Sequence, residues 1–115
     1  MKKYALPGHI KIKKKKEFNL VFSKGKFIRS QYFVAYFLMG EKLLVGFSVQ
    51  KGYKNIIQRN FLKRRLCELW RRYYRKYELC GKMVLVINYH SLEIKFQELE
   101  KDFLLLLKEI EQING

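Results

Sequence analysis

Apolar positions recur along this chain with two different periods. Over residues 14–24, Phe18, Val21 and Phe22 fall at i, i+3 and i+4, one side of a short helix, and Gly25 follows where a helix ends well. From Lys26 to Leu38 the string KFIRSQYFVAYFL is rich in β-branched and aromatic residues, which predicts a strand or a bent strand pair. MGEK (39–42) reads as a turn and LLVGFSV (43–49) as a second extended run. Its Leu43, Val45, Phe47 and Val49 point one way, while Gly46 and Ser48 face the other. That second side is thinly covered, leaving space for something to lie against it.

Residues 56–77 carry the longest helical pattern. At 100° per residue, Leu62, Leu66, Leu69 and Tyr73 fall within about 60° of one another, with Trp70 beside them. Arg59, Lys63, Asn60, Cys67, Arg71, Arg64 and Arg75 occupy an adjoining arc of about 160°. KMVLVINY (82–89) is nearly all apolar, as in a strand buried on both faces. Phe96, Leu99, Phe103, Leu106, Leu107, Ile110 and Ile113 trace a final amphipathic helix. The order helix, two or three strands, helix, strand, helix predicts an α/β (α+β) two-layer sandwich, a small mixed sheet carrying three helices.

The chain has 115 residues, enough for one domain over 1–115, with residues 1–13 as a flexible basic lead-in that holds the lone Pro7. Apolar residues make up 49% and aromatics 16%, so a packed core is expected rather than disorder. No apolar run approaches the ~20 residues of a membrane helix, and no apolar stretch follows the N-terminal Lys pair as a secretory signal requires. Two cysteines make neither a disulfide framework nor a zinc site, and the expected compartment is the cytoplasm.

Charge changes the picture most. Lys and Arg total 25 against 10 acids, a formal +15. The excess sits in two places: residues 1–16 hold seven Lys and no acid, and residues 51–76 hold ten basic residues and one acid, Glu68. Residues 91–115 are net acidic. Charge segregated in this way marks a face for a polyanion. Arg59 and Lys63, and again Asn60 and Arg64, are four apart and share a helix face. Guanidinium forks at that pitch can follow successive phosphates, and the Asn60 amide can both donate and accept. A solvated basic helix face would carry the same pattern, and the segment alone does not choose between DNA and RNA.

The order of residues is more specific. RNFLKRRLCE (59–68) closely resembles the signature of the bacterial ribonuclease P protein subunit, R-N-x-x-K-R-x-x-R-E. KKKKEFNLVFSKGK is similar to that family's first helix, QYFVAYF to its aromatic strand, and GFSVQK to the strand leading into the motif. The resemblance runs from about residue 11 to 76, and the C-terminal third agrees only in pattern. It implies a left-handed crossover into the central helix and a role as protein cofactor of a catalytic RNA that removes the 5′ leader of precursor tRNA. Mg2+ would be held mainly by the RNA, with no organic cofactor, no membrane and no protein partner required. Lys51, Arg59, Asn60, Lys63 and Arg64 would contact the catalytic RNA. Phe18, Phe22 and Tyr36 would line a cleft for the single-stranded leader. Cys67 stands where the family has Arg, with Arg71 one turn on to replace that charge, and Gly52 and Lys54 depart from the family's loop.

Aromatic side chains in a basic groove are also what single-stranded RNA recognition needs on general grounds, although aromatics at helical spacing equally serve as core. Nothing in the sequence supplies protein-borne catalysis. Glu17, Glu41, Glu68 and Glu78 show no paired spacing, the other six acids are assigned to the solvent face of the last helix, and His9 and His90 stand apart from any acid or Cys arrangement. On the basic arc a Cys67 thiolate would be stabilised by neighbouring cations, though a small tolerated residue is the simpler reading; Cys80 reads as a buried turn residue. Two rivals remain: a ribosomal or assembly protein that binds structured RNA without a role in cleavage, and a DNA-binding protein dimerising through FLLLL (103–107).

Overall fold

The computed structural model describes residues 12, 15–40, 42–50, 55–88 and 93–114. Helix α1 (Lys15–Lys24) leads into β1 (Lys26–Arg29), β2 (Phe33–Leu38) and β3 (Leu44–Val49). Helix α2 (Ile56–Tyr73) continues as one 3-10 turn, Tyr74–Lys76, and is followed by β4 (Lys82–Ile87) and α3 (Phe96–Asn114). The aromatic string is therefore a strand pair, with Phe27 opposite Tyr36 in the antiparallel register.

The sheet order is β1-β2-β4-β3, with β4 antiparallel to β2 and parallel to β3. The parallel step is made through α2, because parallel neighbours need a crossover. β4 is thus an inner strand covered on both faces, and Met83, Val84, Leu85 and Ile87 are wholly buried. That placement accounts for its unbroken apolar run.

Alternation along the strands divides the core in two. Phe33, Ala35, Phe37, Met83, Leu85, Ile87, Val45 and Val49 face α2 and α3 in the main core, joined by Leu62, Leu66, Leu69 and Trp70 from α2. Leu99, Phe103, Leu106, Leu107 and Ile110 of α3 complete it. Each buried Val, Leu, Ile, Met or Phe among them contributes roughly 1.5–3 kcal/mol on removal from water. FLLLL accordingly belongs mostly to the core, with Leu105 the outward exception. On the opposite face, Val21 of α1, Val84 and Ile12 form a smaller cluster with Phe18, Tyr36, Leu38, Leu44 and Val86 packed around it.

Three expectations need correction. Ile12 is 4% exposed and its N–H donates to the Val45 carbonyl at 2.9 Å, so the predicted flexible lead-in does not extend to that residue. Asp102 does not face solvent: it is buried and accepts from Ser30 Oγ (2.7 Å), Gln31 N–H (3.1 Å) and Tyr32 N–H (2.8 Å). One carboxylate thereby satisfies the turn between β1 and β2 and pins α3 to it, which outweighs the helical-wheel preference for exposure. Cys80 is half-buried rather than enclosed. The neighbouring Gly81 carries the turn, at φ +93°, where a side chain would be strained.

A candidate nucleic-acid interface

The basic helix is set by its caps and its core stripe. Asn55 starts α2 by accepting from the N–H groups of Ile57 (2.9 Å) and Gln58 (3.3 Å), a cap typically contributing ~1 kcal/mol. With Leu62, Leu66, Leu69 and Trp70 turned into the core, Arg59, Asn60, Lys63 and Arg64 are all left exposed. Among the described residues no acid pairs with Arg59, Lys63 or Arg64. These cations keep their full attraction for an external anion.

The remaining arginines of α2 are engaged. Arg71 bonds Glu68 at 2.9 Å, and Arg72 bonds the other oxygen of Glu68 at 3.0 Å. Burial works against the charged Glu68, but the hydrogen bonds from Arg72 and Arg71 and their positive charges hold its pKa below the ordinary carboxylate value. The bond to Glu68 likewise raises the pKa of Arg72. Arg72 also reaches Glu100 (3.4 Å), which accepts the Tyr73 hydroxyl at 2.5 Å. That bond to Glu100 raises the Tyr73 pKa. Arg65 donates to the Ile94 carbonyl at 2.8 Å and lies 4.6 Å from the Phe61 ring centroid, fastening α2 to the approach of α3. Sequence spacing placed Arg71 on the open arc, and the structure gives it an intramolecular partner. Cys67, half-buried, sits on the same helix. Lys51 and the Gly52/Lys54 loop lie outside the described residues, as do His9 and His90.

The three aromatic residues come together on the α1 face of the sheet. The Phe18 and Phe22 rings are 6.0 Å apart, and Phe22 meets Tyr36 edge-on at 4.9 Å. Phe18 fills the space left by Gly46: a Cβ there would stand 2.5 Å from its Cε2. Phe18 and Tyr36 are half-buried, whereas Phe22 is 38% exposed. Sequence reasoning missed a fourth ring. Phe27 on β1 stacks on Tyr36 at 5.9 Å and 27°, and is 56% exposed. The signal that could have found it is strand pairing, which brings residues 27 and 36 opposite each other.

β3 links the two groups. α2 packs mainly on this strand, with Phe47 meeting Trp70 edge-on at 6.2 Å, while Gly46 receives Phe18 on the reverse side. The helix of unpaired cations and the Phe18 end of the row of rings therefore back onto the two faces of one edge strand. Among the described residues no three His, Cys, Asp or Glu side chains gather into a set fit for a metal ion. On α2 the single acid, Glu68, is already taken by two arginines. Among the described residues the basic face therefore offers Mg2+ no carboxylate set. No helix among the described residues is long and apolar enough to cross a membrane.

Comparison with known proteins gives one answer. A family model described as Ribonuclease P matches residues 6–111. The chain is 30% identical over 108 residues to the ribonuclease P protein component of Streptococcus agalactiae, covering 85% of this chain and 91% of that one. It is 28% identical over 101 residues to the component from Nitratiruptor, covering 88% and 92%. The solved structure of the RNase P protein from Thermotoga maritima superposes with a TM-score of 0.76 at 25% identity, over 88% of this chain and 97% of that one. The Staphylococcus aureus RNase P protein gives 0.74 at 20% identity, over 89% and 97%. With a matching profile over nearly its whole length and the same three-helix, four-strand fold, the chain belongs to the ribonuclease P protein family.

Proposed function

We propose that the protein binds the catalytic RNA of ribonuclease P through α2 and the 5′ leader of precursor tRNA through the aromatic row, and so assists removal of the leader. The observation that supports this reading is the pairing of Arg59, Lys63 and Arg64, without acidic partners among the described residues, with a row of partly exposed rings that starts on the other face of β3. Phosphates account for affinity and stacking for the grip on an unpaired strand. Asn60 offers an amide between the cations for a sugar hydroxyl or base edge. Lys51 would add charge at the loop before α2, and Arg71 would join when phosphate displaces it from Glu68. Mg2+ belongs with the RNA in this reading, because the described residues of the basic face present no carboxylate pair, and the RNA does the cutting. The reading places the protein in the cytoplasm.

The test is cleavage of precursor tRNA at low magnesium by a bacterial ribonuclease P RNA, with and without the protein. A protein-dependent cut at the mature 5′ end, absent with protein alone, is the expected result. Tight binding of the cognate RNA without stimulation would instead identify a structured-RNA-binding protein with no part in cleavage.

A further inference from the structure

The row of rings does not stop at the cleft. It crosses from Phe18, over Gly46 of β3, through Phe22 and Tyr36 of β2, to Phe27 on the edge strand β1. Phe27 is the most exposed ring of the four, at 56%. It is flanked on its own strand by two cations, Lys26 and Arg29, both exposed. Arg29 shares its face of the strand and lies with Cζ 5.8 Å from the ring centroid, within the ~6 Å range of cation–π contact. Among the described residues Arg29 has no acidic partner. Edge strands are ordinarily protected by charge rather than by large apolar rings. Phe27 covers one side of Tyr36, yet more than half of its own surface remains in water, more than packing against Tyr36 requires.

We propose that Phe27 and Arg29 form a further subsite for an unpaired nucleotide of RNA, at the β1 end of the aromatic row. The base stacks on the Phe27 ring while the Arg29 guanidinium meets the adjoining phosphodiester. Resting on the leader-binding reading above, this extends the protein's footprint on the leader beyond Phe18, Phe22 and Tyr36.

The assembled ribonucleoprotein provides the test, with precursor tRNA carrying either a long leader or a leader trimmed to one nucleotide. The quantity read is the ratio of the two affinities. Phe27→Leu keeps an apolar cover on Tyr36 but removes the flat π face, and should lower the ratio about tenfold, the scale of one lost base stack. Phe27→Trp should restore or raise it. A ratio unchanged in Phe27→Leu, or lowered equally in Phe27→Leu and Phe27→Trp, overturns the subsite. Phe22→Leu, measured alongside, separates the two failures. If Phe22→Leu lowers the ratio and Phe27→Leu does not, only the extension falls; if neither does, the leader-binding reading falls with it.

Discussion

Phe18 lies against the backbone of Gly46, its ring occupying the volume where any other residue would place a Cβ, 2.5 Å from Cε2. A strand glycine is ordinarily a weakness, with no side chain to pack and extra chain entropy to lose. Here it creates the seat for the first ring of the candidate RNA cleft. Gly46→Ala would gain roughly 0.4–1 kcal/mol if only the unfolded chain mattered. The overlap with Phe18 should reverse that sign and cost about 1–3 kcal/mol. Urea unfolding followed by the fluorescence of the single, buried Trp70 measures it. In the double variant with Phe18→Leu the cost should shrink, and a cycle showing no coupling would refute the seat.

Asp102 joins the last helix to the turn between β1 and β2 by accepting three hydrogen bonds. Asp102→Ala leaves the Gln31 and Tyr32 N–H groups without that acceptor and should cost about 3 kcal/mol in the same unfolding assay. Asp102→Asn, which keeps one acceptor oxygen, should lose less than half as much. An Ala variant as stable as the parent would mean that water replaces the carboxylate without loss.

The Glu68 carboxylate, held below its ordinary pKa by Arg72 and Arg71 against the effect of burial, ties acid stability to α2. A carboxyl whose folded pKa is depressed contributes stability above its unfolded value, about 4.3. That contribution is lost as pH falls through the lower, folded value. Glu68→Gln should therefore be less stable than the parent at neutral pH, and the gap should close as pH falls through the depressed folded pKa of Glu68. Unfolding midpoints at neutral and acid pH check this, and a constant gap would assign the loss to packing instead.

Lys63 and Arg64 stand exposed with no acidic partner among the described residues. Changing either to Ala should weaken binding to the catalytic RNA and lower the slope of log K against log salt by about one. Arg71→Ala should do less, because its guanidinium starts from a bond to Glu68 that RNA must displace. Equal effects at the three positions, measured by titration over a salt series, would show that the Glu68 bond does not restrain Arg71.

Phe22 and Tyr36 belong to a different assay. Phe22→Ala should reduce the preference for precursor over mature tRNA while sparing assembly with the RNA subunit, since Phe22 is exposed and lies off the basic helix. A matching loss in both assays would merge the two surfaces into one.

The sequence alone determined the elements and the basic face. Periodicity is a local property, so Leu62, Leu66 and Leu69 announced the buried side of α2 and left Arg59, Lys63 and Arg64 outside it. The unbroken KMVLV run likewise announced an inner strand before any partner was known. The order of residues from 59 to 68 identified the family, because a charge pattern repeated by several flanking blocks is far more specific than net charge.

Contacts between residues distant in the chain were set by the fold itself. Phe27 became part of the aromatic row because strand pairing set it opposite Tyr36, and Gly46 became its opposite end because α1 packs over β2 and β4 and sends Phe18 across to β3. Asp102 left the solvent face because a turn some seventy residues away offered it three donors. Arg71 and Arg72 lost their freedom to Glu68, and Arg65 its freedom to a carbonyl before α3. The physical reason is common to all of these. A helical wheel or an alternating strand tells which side a residue takes, whereas hydrogen bonds, ion pairs and ring contacts depend on which side chain the fold places opposite.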